Sequence, residues 1–325
     1  MKQIKISDFY AGTGGFSTAL ETLNPIFKCV FANDFVIQSK KIFDLNHNAK
    51  LTIKDMMELE PNQIPKHNIL CAGMSCQPFS IAGQKKGFSD PRANTFWKLI
   101  DICKYQKPSI IVIENVKNLL THDNSKTFEI IKTSIEKIGY YVKFQVLDTM
   151  KITSIPQHRE RLYIVCFKNK IQCDNFNFPT QSSNWILNNI SNYLQPTEEV
   201  SDKYYYKPES KIYPILDKYV VKDISTNTVY QYRRTYLREN KNKCVPTLTH
   251  NAGTGGHNVP IIKDVRGIRK LTPRECFNLQ GFPSWFDLGN LSDSQLYGLV
   301  GNAITIPVVQ KLFIQIIRSI IYLNI

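Results

Sequence analysis

The chain has 325 residues, of which 42% are hydrophobic and 21% are charged, an ordinary balance for a soluble globular protein of one large domain or two. The formal net charge of +14 favours a polyanionic partner such as a nucleic acid, although a merely basic protein remains an alternative. Eight scattered cysteines, with no CxxC pair and no histidine cluster, argue against a metal site and a disulfide framework and favour a reducing compartment.

Short segments rich in Ile, Val, Tyr and Phe alternate with helical periods as far as about Phe167. The helical segment TFEIIKTSIEKIG, for example, has a regular apolar face and ends at Gly139, a typical C-cap. Such alternation predicts an α/β fold, a doubly wound and mostly parallel sheet covered on both faces. The predicted strands are IKISDFY, KCVFAND, HNILCAGM, SIIVIENV, YVKFQVLD and RLYIVCF.

The composition changes after about Asn175, where Tyr, Lys, Arg and Asn become frequent and amphipathic periods disappear. This predicts a second, smaller domain with a basic, aromatic surface. Helical signals return at RKLTPRECFNLQGFP, with Pro273 near a helix start. The apolar C-terminal segment is interrupted by Lys311, Gln315 and Arg318, so we expect a buried amphipathic helix on the first domain and no membrane span.

A glycine turn follows the first predicted strand, in DFYAGTGGFSTAL. Gly12, Gly14 and Gly15 allow the backbone to approach a ligand at a helix N-terminus, and Asp34 ends the next strand where it could bind a ribose. The pattern is a loose nucleotide signature, because Ser17 replaces the third glycine of the dinucleotide fingerprint and no P-loop lysine follows. A strand-to-helix corner that needs only glycine is the alternative.

A thiol and a carboxylate follow two neighbouring predicted strands. Cys76 lies just past HNILCAGM, and Glu114 directly follows the apolar run SIIVI. Because ligands bind at the carboxyl edge of an open parallel sheet, the two residues are candidates for a nucleophile and its hydrogen-bonding partner. By count alone, an isolated cysteine is more often a small core residue.

Gln157, Arg159 and Arg161 alternate in IPQHRERLYIV, and in an extended segment they would point to one face. Two guanidinium groups there could lower the pKa of the Cys76 thiol and bind a phosphate or a carbonyl. A solvated run of charge is the alternative.

The order of six motifs resembles the cytosine-C5 DNA methyltransferase family, of the bacterial modification methylase type. The motifs are DxxAGxGG, CQPFS, ENV, QxRxR, RKLTPREC followed by LQGFP, and GNA, and they span nearly the whole chain. The resemblance implies the S-adenosylmethionine-dependent methyltransferase fold and a cytosine flipped out of duplex DNA. It implies a catalytic and cofactor-binding domain at 1–178 and 292–325, a target-recognition domain at 179–270 and a hinge at 271–291.

The resemblance also implies site residues. The expected catalytic residues are Cys76, Glu114, Arg159 and Arg161. The expected residues for S-adenosylmethionine and its product S-adenosylhomocysteine are Asp8, Tyr10, Ala11, Gly12, Thr13, Gly14, Gly15, Asp34, Phe35, Asp55, Met56, Gly73, Ser75, Asn302 and Ala303. The expected DNA-binding residues are Gln77, Ser80, Gln157, Arg233, Arg234, Arg238, Thr247, Leu248, Gly253, Gly255 and Gly256.

Two positions depart from the family pattern. Ser75 stands where proline usually precedes the cysteine, which predicts a more mobile loop and weakened activity. Asp34 stands where glutamate is more usual, and its shorter carboxylate could reach a ribose through water.

The expected protein is a monomeric bacterial enzyme of the cytoplasm that acts on double-stranded DNA, with no metal and no membrane partner. The assignment admits a separate cognate restriction endonuclease. Three alternatives remain: the tRNA-methylating branch of the family, a DNA-binding relative that does not turn over, and a nicotinamide oxidoreductase. The oxidoreductase is disfavoured because it leaves SCQPFS unexplained.

Overall fold

The computed structural model of this protein describes residues 3–74, 94–233, 236–253 and 259–321. The chain forms two compact units. Unit 1 comprises Met1–Leu147, Glu160–Thr180 and Ile306–Ile325, and unit 2 comprises Asp148–Arg159 and Gln181–Thr305. This division assigns 148–159 and 292–305 to unit 2, whereas the sequence-based prediction placed both in the catalytic domain. Compactness does not show what each unit does, so the functional domains remain a prediction.

A seven-stranded sheet forms the centre of unit 1. The predicted strands all appear, together with a short β3 that was not predicted. The order across the sheet is β3-β2-β1-β4-β5-β7-β6. Its strands are β1 (Ile4–Phe9), β2 (Phe27–Asp34), β3 (Leu51–Ile53), β4 (Ile69–Gly73), β5 (Ile110–Val116), β6 (Tyr141–Asp148) and β7 (Glu160–Phe167).

The sheet is mostly parallel, as predicted. The pairs β1–β2, β1–β4, β2–β3 and β4–β5 are parallel, and β5–β7 is antiparallel. The helices of unit 1 are α1 (Gly15–Leu23), α2 (Ile37–Asn46), α3 (Asn94–Gln106), α4 (Lys126–Lys137), α6 (Lys170–Asn175) and α10 (Ile306–Ile321). Strand and helix therefore alternate over this part of the chain, as a doubly wound fold requires.

Apolar side chains cover the sheet on both faces. On one face, Leu70 and Ile111 pack in a single cluster with Phe96 of α3 and Ile131 of α4. The neighbouring strand residues Ile69, Cys71, Ile110 and Val112 point to the other face, and they are also buried. Burial on both faces explains why these strands are continuous apolar runs instead of alternating ones.

The C-terminal helix α10 packs on the first sheet, as expected. Phe313 of α10 meets Phe27 of β2 edge to face, with ring centroids 6.1 Å apart. One helical stretch among the described residues, Asp293–Ile320, is long and apolar enough to cross a membrane, but 61% of its most apolar window is buried inside the protein. A buried core helix has the same length and composition, so this stretch is weak support for a membrane span.

Unit 2 contains a four-stranded antiparallel sheet in the order β11-β10-β8-β9. A small core formed by Leu216, Val220, Tyr230, Val259 and Ile261 covers it. The strands of this sheet are β8 (Tyr230–Tyr232), β9 (Leu237–Glu239), β10 (Val259–Asp264) and β11 (Gly267–Lys270). The helices of unit 2 are α5 (Thr149–Ile152), α7 (Tyr213–Tyr219), α8 (Pro273–Leu279) and α9 (Asp293–Asn302).

The predicted start of α8 at Pro273 is confirmed. Thr272 is its N-cap and forms a capping box with Glu275, which satisfies two of the free backbone N–H groups of the first turn. Proline at the first helical position has no N–H to leave unpaired.

Candidate active site

The carboxyl ends of the parallel strands lie side by side in unit 1. Phe9 of β1 pairs with Asn33 of β2 and with Ala72 of β4, and Gly73 of β4 pairs with Glu114 of β5. The residues predicted to carry chemistry in this unit follow these strand ends. The edge is therefore the candidate site, as the rule for open parallel sheets predicts.

The turn from β1 into α1 uses three residues with left-handed backbone. Tyr10, Gly12 and Gly14 have φ angles of 55°, 54° and 84°, a region that residues with a Cβ rarely adopt. A Cβ on Gly14 would lie 2.3 Å from Nε2 of His47, whereas a Cβ on Gly12 would meet nothing within 4 Å. The side chains of His47 and Phe43 therefore pack against Gly14, whereas Gly12 faces open space that a ligand can fill.

His47 supports this turn, and sequence reasoning missed it. Its Nδ1 lies 3.0 Å from Oε2 of Glu21, its Nε2 lies 3.3 Å from the Thr18 hydroxyl, and its ring packs 4.4 Å from the Phe43 ring. These partners belong to α1 and α2, so the histidine fixes both helices beneath Gly14. No local sequence signal links His47 to the glycine turn.

Asp34 joins the end of β2 to the glycine turn. Its two carboxylate oxygens accept hydrogen bonds from the backbone N–H groups of Gly12 and Val36, each at 2.8 Å. Burial raises the pKa of Asp34, and these hydrogen bonds oppose the rise. The next side chain, Phe35, is 69% exposed, which makes its ring available as a flat apolar surface beside the carboxylate.

Four further residues predicted for the methyl donor, Thr13, Asp55, Met56 and Gly73, lie at or after the carboxyl ends of β1, β3 and β4 in unit 1. Asp55 accepts a hydrogen bond from Met57 N–H at 2.9 Å and caps the short turn that contains the buried Met56. Thr13 is buried, and its hydroxyl has no hydrogen-bond partner among the residues that the structure describes. A Cβ on Gly73 would lie 3.7 Å from the carbonyl oxygen of Tyr10, which is ordinary contact.

Asp8 is buried under the glycine turn. Its Oδ2 accepts hydrogen bonds from the N–H of Ser17 at 3.0 Å and from its hydroxyl at 2.8 Å, which ties β1 to α1. Burial raises the pKa of Asp8 to about 7, although the bonds to Ser17 oppose the rise. The structure gives this predicted cofactor residue a supporting position.

Glu114 forms an ion pair at the carboxyl end of β5. Its Oε1 lies 3.1 Å from Nε of Arg161, and the two side chains are only 10% and 17% exposed. Arg161 is opposite Val116 in the antiparallel β5–β7 pair, so the ion pair runs diagonally across the ladder. The adjacent Asn115 donates to the carbonyl of Met74 at 3.5 Å, which connects this strand to the segment that precedes Cys76.

The three residues of the QxRxR motif have different partners. Strand β7 begins at Glu160, so Gln157 and Arg159 precede it and only Arg161 lies within the strand. Arg161 pairs with Glu114 in unit 1, whereas Arg159 is 2% exposed and donates to backbone carbonyls within unit 2. Alternation in sequence predicts a common face only while the backbone stays extended.

The predicted DNA-binding residues of unit 2 have different surroundings. Arg238 is exposed, and both its Nε and Nη2 donate to Oε1 of Gln231, at 2.9 and 2.7 Å. Arg233 is part-buried beside the end of β8. Thr247 donates to the His158 carbonyl at 2.8 Å, and Leu248 is fully buried. Contacts of these residues with DNA remain predictions.

Asn302 and Ala303 lie at the end of α9 in unit 2. Asn302 is exposed, and Ala303 is 9% exposed. Sequence reasoning missed Gln280 of the LQGFP motif, which is fully buried and donates to the carbonyls of Val300 and Ala303. A glutamine directly before a glycine and an aromatic residue gave no hint of burial.

Several predicted residues lie outside the described part of the chain, and no contact of theirs is described. They are Ser75, Cys76, Gln77, Ser80, Arg234, Gly255 and Gly256. Among the described residues, no group of three or more His, Cys, Asp or Glu side chains is arranged to bind a metal ion.

Comparisons of sequence give full-length matches. A family model described as C-5 cytosine-specific DNA methylase matches residues 4–318. Type II methyltransferase M.Bsp6I of Bacillus sp. (strain RFL6) is 38% identical over 320 residues, which are 98% of this chain and 100% of that protein. Type II methyltransferase M.HaeII of Haemophilus aegyptius is 33% identical over 323 residues, covering 98% of this chain and 95% of that protein.

Solved structures share the fold. The Entamoeba histolytica methyltransferase EhMeth has a TM-score of 0.79 at 23% identity, covering 98% of this chain and 99% of that one. The S. pombe Dnmt2 methyltransferase has a TM-score of 0.73 at 21% identity, covering 99% and 100%. The predicted fold class, a methyltransferase-type α/β architecture with a large, mainly parallel sheet, is thereby confirmed.

Proposed function

Because this chain belongs to the C-5 cytosine-specific DNA methylase family, we propose that it transfers a methyl group from S-adenosylmethionine to C5 of a cytosine in a short, specific site of duplex DNA. The observation that carries this proposal is the position of Glu114. This carboxylate is oriented by Arg161 and is in register with Gly73, three residues before Cys76. A cytosine ring beside Glu114 is therefore within reach of the segment that bears the thiol.

The residues of the glycine turn fit a methyl donor with an adenosyl group. The space in front of Gly12 admits a ligand, and the buried carboxylate of Asp34 lies at the end of the neighbouring strand, where it can accept hydrogen bonds from a ribose. The unpartnered hydroxyl of Thr13 and the exposed ring of Phe35 add a hydrogen-bonding group and an apolar surface. When bound, S-adenosylmethionine supplies an electrophilic methyl group on a sulfonium centre.

Cys76 is the proposed nucleophile, and the other cysteines support the choice. The seven cysteines of the described residues are all buried. Burial raises the pKa of each one, so none of them forms a thiolate readily. Three residues of chain span at most about 11 Å, which keeps Cys76 within that distance of Gly73 at the candidate edge.

C5 of cytosine is a poor nucleophile, and the proposed reaction makes it reactive through a covalent adduct. The Cys76 thiolate forms a bond to C6, which breaks the aromaticity of the ring and places an electron pair at C5. This pair forms the new bond to the methyl carbon as the sulfonium bond breaks. A base then removes the C5 proton, and the returning electron pair expels the Cys76 thiolate. Glu114 binds N3 and the N4 amine and stabilises the adduct as charge develops on the ring.

The target base must leave the helix for this chemistry to occur. C6 is inaccessible in a stacked duplex, so we propose that the cytosine is flipped out, at a cost of a few kcal/mol. The net charge of +14 favours contact with phosphates. Unit 2 is the proposed target-recognition domain, with Arg233, Arg238 and the segment after Thr247 as its proposed contacts.

The biological setting proposed is a bacterial restriction–modification system. The relatives named above are Type II methyltransferases of bacteria. We propose that the chain acts as a cytoplasmic monomer without a metal, and that a cognate restriction endonuclease acts separately.

Two assays test the proposal together. Purified protein is incubated with tritiated S-adenosylmethionine and either unmethylated duplex DNA or tRNA, and genomic DNA from expressing cells is sequenced after bisulfite treatment. We expect label in DNA and methylated cytosines at one recurring sequence. Label in tRNA alone would assign the chain to another substrate, and binding of DNA without any label would mean that it does not turn over.

A matched pair of variants tests the nucleophile. Cys76→Ala should abolish methyl transfer and the covalent complex with a duplex that carries 5-fluorocytosine. Cys71→Ala, which changes a buried cysteine of β4, should retain both. Unchanged transfer by Cys76→Ala would refute the covalent mechanism.

A further inference from the structure

Lys270, the last residue of β11, extends its side chain to the backbone of a distant part of unit 2. The side chain is part-buried, and its Nζ donates a hydrogen bond to the carbonyl of Gly253 at 2.7 Å. Gly253 is itself buried, and a buried carbonyl without a donor destabilises a fold. The ammonium group therefore satisfies a backbone oxygen that burial separates from water.

Two tyrosine rings lie against this ammonium group. Its Nζ is 5.5 Å from the ring centroid of Tyr297 and 6.0 Å from that of Tyr204, within the range of a cation–π attraction. The tyrosines are only 1% and 8% exposed, and the Tyr297 hydroxyl donates to the Leu271 carbonyl at 2.5 Å. The ammonium group thus lies on ring faces that packing holds in place.

A lysine at this position has an electrostatic disadvantage. Burial lowers the pKa of Lys270 below the ordinary value for a lysine, although the carboxylate of Asp293 opposes the shift. The Gly253 carbonyl and the two ring faces offset part of the lost hydration, since each attracts positive charge. An apolar side chain of similar length would avoid the loss, so the contribution specific to the ammonium group is its hydrogen bond to Gly253.

Gly253 ends a short stretch of chain, residues 247–253, here called the recognition segment. At the start of the segment, the Thr247 hydroxyl donates to the His158 carbonyl at 2.8 Å. At its end, a Cβ on Gly253 would lie 2.0 Å from the Tyr297 ring, so only glycine allows this close approach. Groups of unit 2 therefore hold the recognition segment at both ends.

We propose that Lys270 is a positioning residue for sequence recognition, because its bond to Gly253 fixes the recognition segment in the conformation that contacts bases. The inference rests on the proposed function, in which the residues after Thr247 contact DNA. Hydrogen bonds to base edges carry the sequence information and depend steeply on distance and angle, whereas phosphate contacts carry none. Loosening the end of the segment should therefore weaken discrimination between DNA sequences more than it weakens binding to DNA.

The test measures kcat/KM for methyl transfer to the site found by bisulfite sequencing and to a panel of duplexes, each with one base pair of that site changed. The discrimination at each position is the ratio of kcat/KM for the intact site to that for the changed one. Lys270→Met keeps a long, unbranched side chain but removes the ammonium group. It should lower the ratio at one or more positions at least about fivefold, the discrimination that one base contact provides.

Lys203→Met is the matched control. Nζ of Lys203 lies 5.0 Å from the centroid of the same Tyr204 ring, but its ion pair, at 2.8 Å, is with Asp293 and not with the recognition segment. This variant also removes an ammonium group from unit 2, and it should keep every ratio of the unchanged protein.

Gly253→Ala is a second variant that displaces the same carbonyl while Lys270 stays in place. Its new methyl group collides with the Tyr297 ring, so we expect it to lower the ratios as Lys270→Met does. A loss of stability alone would lower kcat/KM on every duplex equally and would leave the ratios unchanged.

The salt dependence of DNA binding separates a positioning role from a direct contact. Removing a side chain that itself contacts a phosphate lowers the slope of log K against log salt by about 0.9. The slope of Lys270→Met should equal that of the unchanged protein, because the ammonium group is bound to Gly253.

The outcomes separate this inference from the proposed function. If the unchanged protein methylates its site but folded Lys270→Met keeps every ratio or loses slope, the positioning role is refuted and the enzyme assignment stands. The role is also refuted if Lys203→Met lowers the ratios equally, or if Lys270→Met does not fold and Gly253→Ala keeps them. If the unchanged protein transfers no methyl group to any DNA, both proposals fail.

Discussion

Nε of Arg161 lies 3.1 Å from Oε1 of Glu114, between the neighbouring antiparallel strands β7 and β5 of the main sheet. An arginine and a carboxylate in this geometry fix each other's orientation, and neither is fully exposed. A fixed carboxylate can stabilise charge that develops on a bound ring without reorganising during the reaction.

Glu114→Gln tests this role. The amide keeps the shape of the side chain but loses the negative charge that pairs with Arg161, so both its orientation and its electrostatic effect on a bound ring are impaired. We expect kcat for methyl transfer to fall by roughly 100-fold or more, with binding of S-adenosylhomocysteine retained. Glu160→Gln, which breaks the more exposed pair with Lys117, is the control and should change kcat little. Equal losses in both variants would contradict the proposed role.

Alanine at the two left-handed glycines should separate ligand binding from stability. In Gly12→Ala the new Cβ enters the open space of the turn, so we expect weaker binding of S-adenosylhomocysteine and a loss of stability of about 1–2 kcal/mol from backbone strain. In Gly14→Ala the Cβ also collides with His47, so stability should fall further. Thermal unfolding and equilibrium binding measure the two effects. If the Gly14→Ala variant is more stable than the Gly12→Ala variant, the side chain of His47 does not pack against Gly14.

The buried carboxyl of Asp8 predicts a pH-dependent stability. Burial raises its pKa in the folded chain to about 7, above the ordinary value of 3.8 for an aspartate, so the folded state binds the proton more tightly than the unfolded state. The resulting stabilisation is complete below about pH 4 and is lost as the pH rises through 7, at about 1.4 kcal/mol per pH unit.

Asp8→Asn removes this titration while keeping an oxygen that accepts from Ser17. As the pH rises from 5 to 7, the free energy of unfolding of the unchanged protein should therefore fall relative to that of the variant. Denaturant unfolding at several pH values measures both free energies. A difference that does not vary with pH would mean that Asp8 is already ionised throughout this range.

Arg238 is the exposed arginine of unit 2 for which a phosphate contact is predicted. Arg238→Gln should weaken DNA binding and reduce the slope of log K against log salt by about 0.9, since one phosphate contact is lost. Arg318→Gln changes another exposed arginine, on α10, and should leave the slope unchanged. If the two variants have the same slope as the unchanged protein, Arg238 does not contact DNA.

Ser75→Pro tests the departure from the family pattern before the nucleophile. Proline restricts the backbone next to Cys76, so we expect a higher kcat for methyl transfer than the unchanged chain shows. Steady-state rates at saturating DNA and methyl donor measure it. Equal or lower turnover would show that serine does not weaken the enzyme.

The predicted strands of unit 1, the start of α8 and the apolar stripe of α10 follow from the sequence alone. Each depends on interactions within a few residues: strand runs of branched and aromatic side chains, a capping residue, and a helical repeat of apolar positions. The order of motifs determined the family, and the glycine turn and strand-end acids indicated the edge that carries the site.

Only the tertiary structure decided which partner each of these side chains has. Arg159 and Arg161 are two positions apart, yet one binds carbonyls 89 and 144 residues away and the other binds Glu114. Local sequence patterns likewise did not predict the contact of His47 with Gly14 or the hydrogen bonds of Gln280 to the end of α9. The physical reason is that a side chain's hydrogen bonds and packing depend on which distant backbone groups the fold brings within about 3 Å, and periodicity carries no information on that.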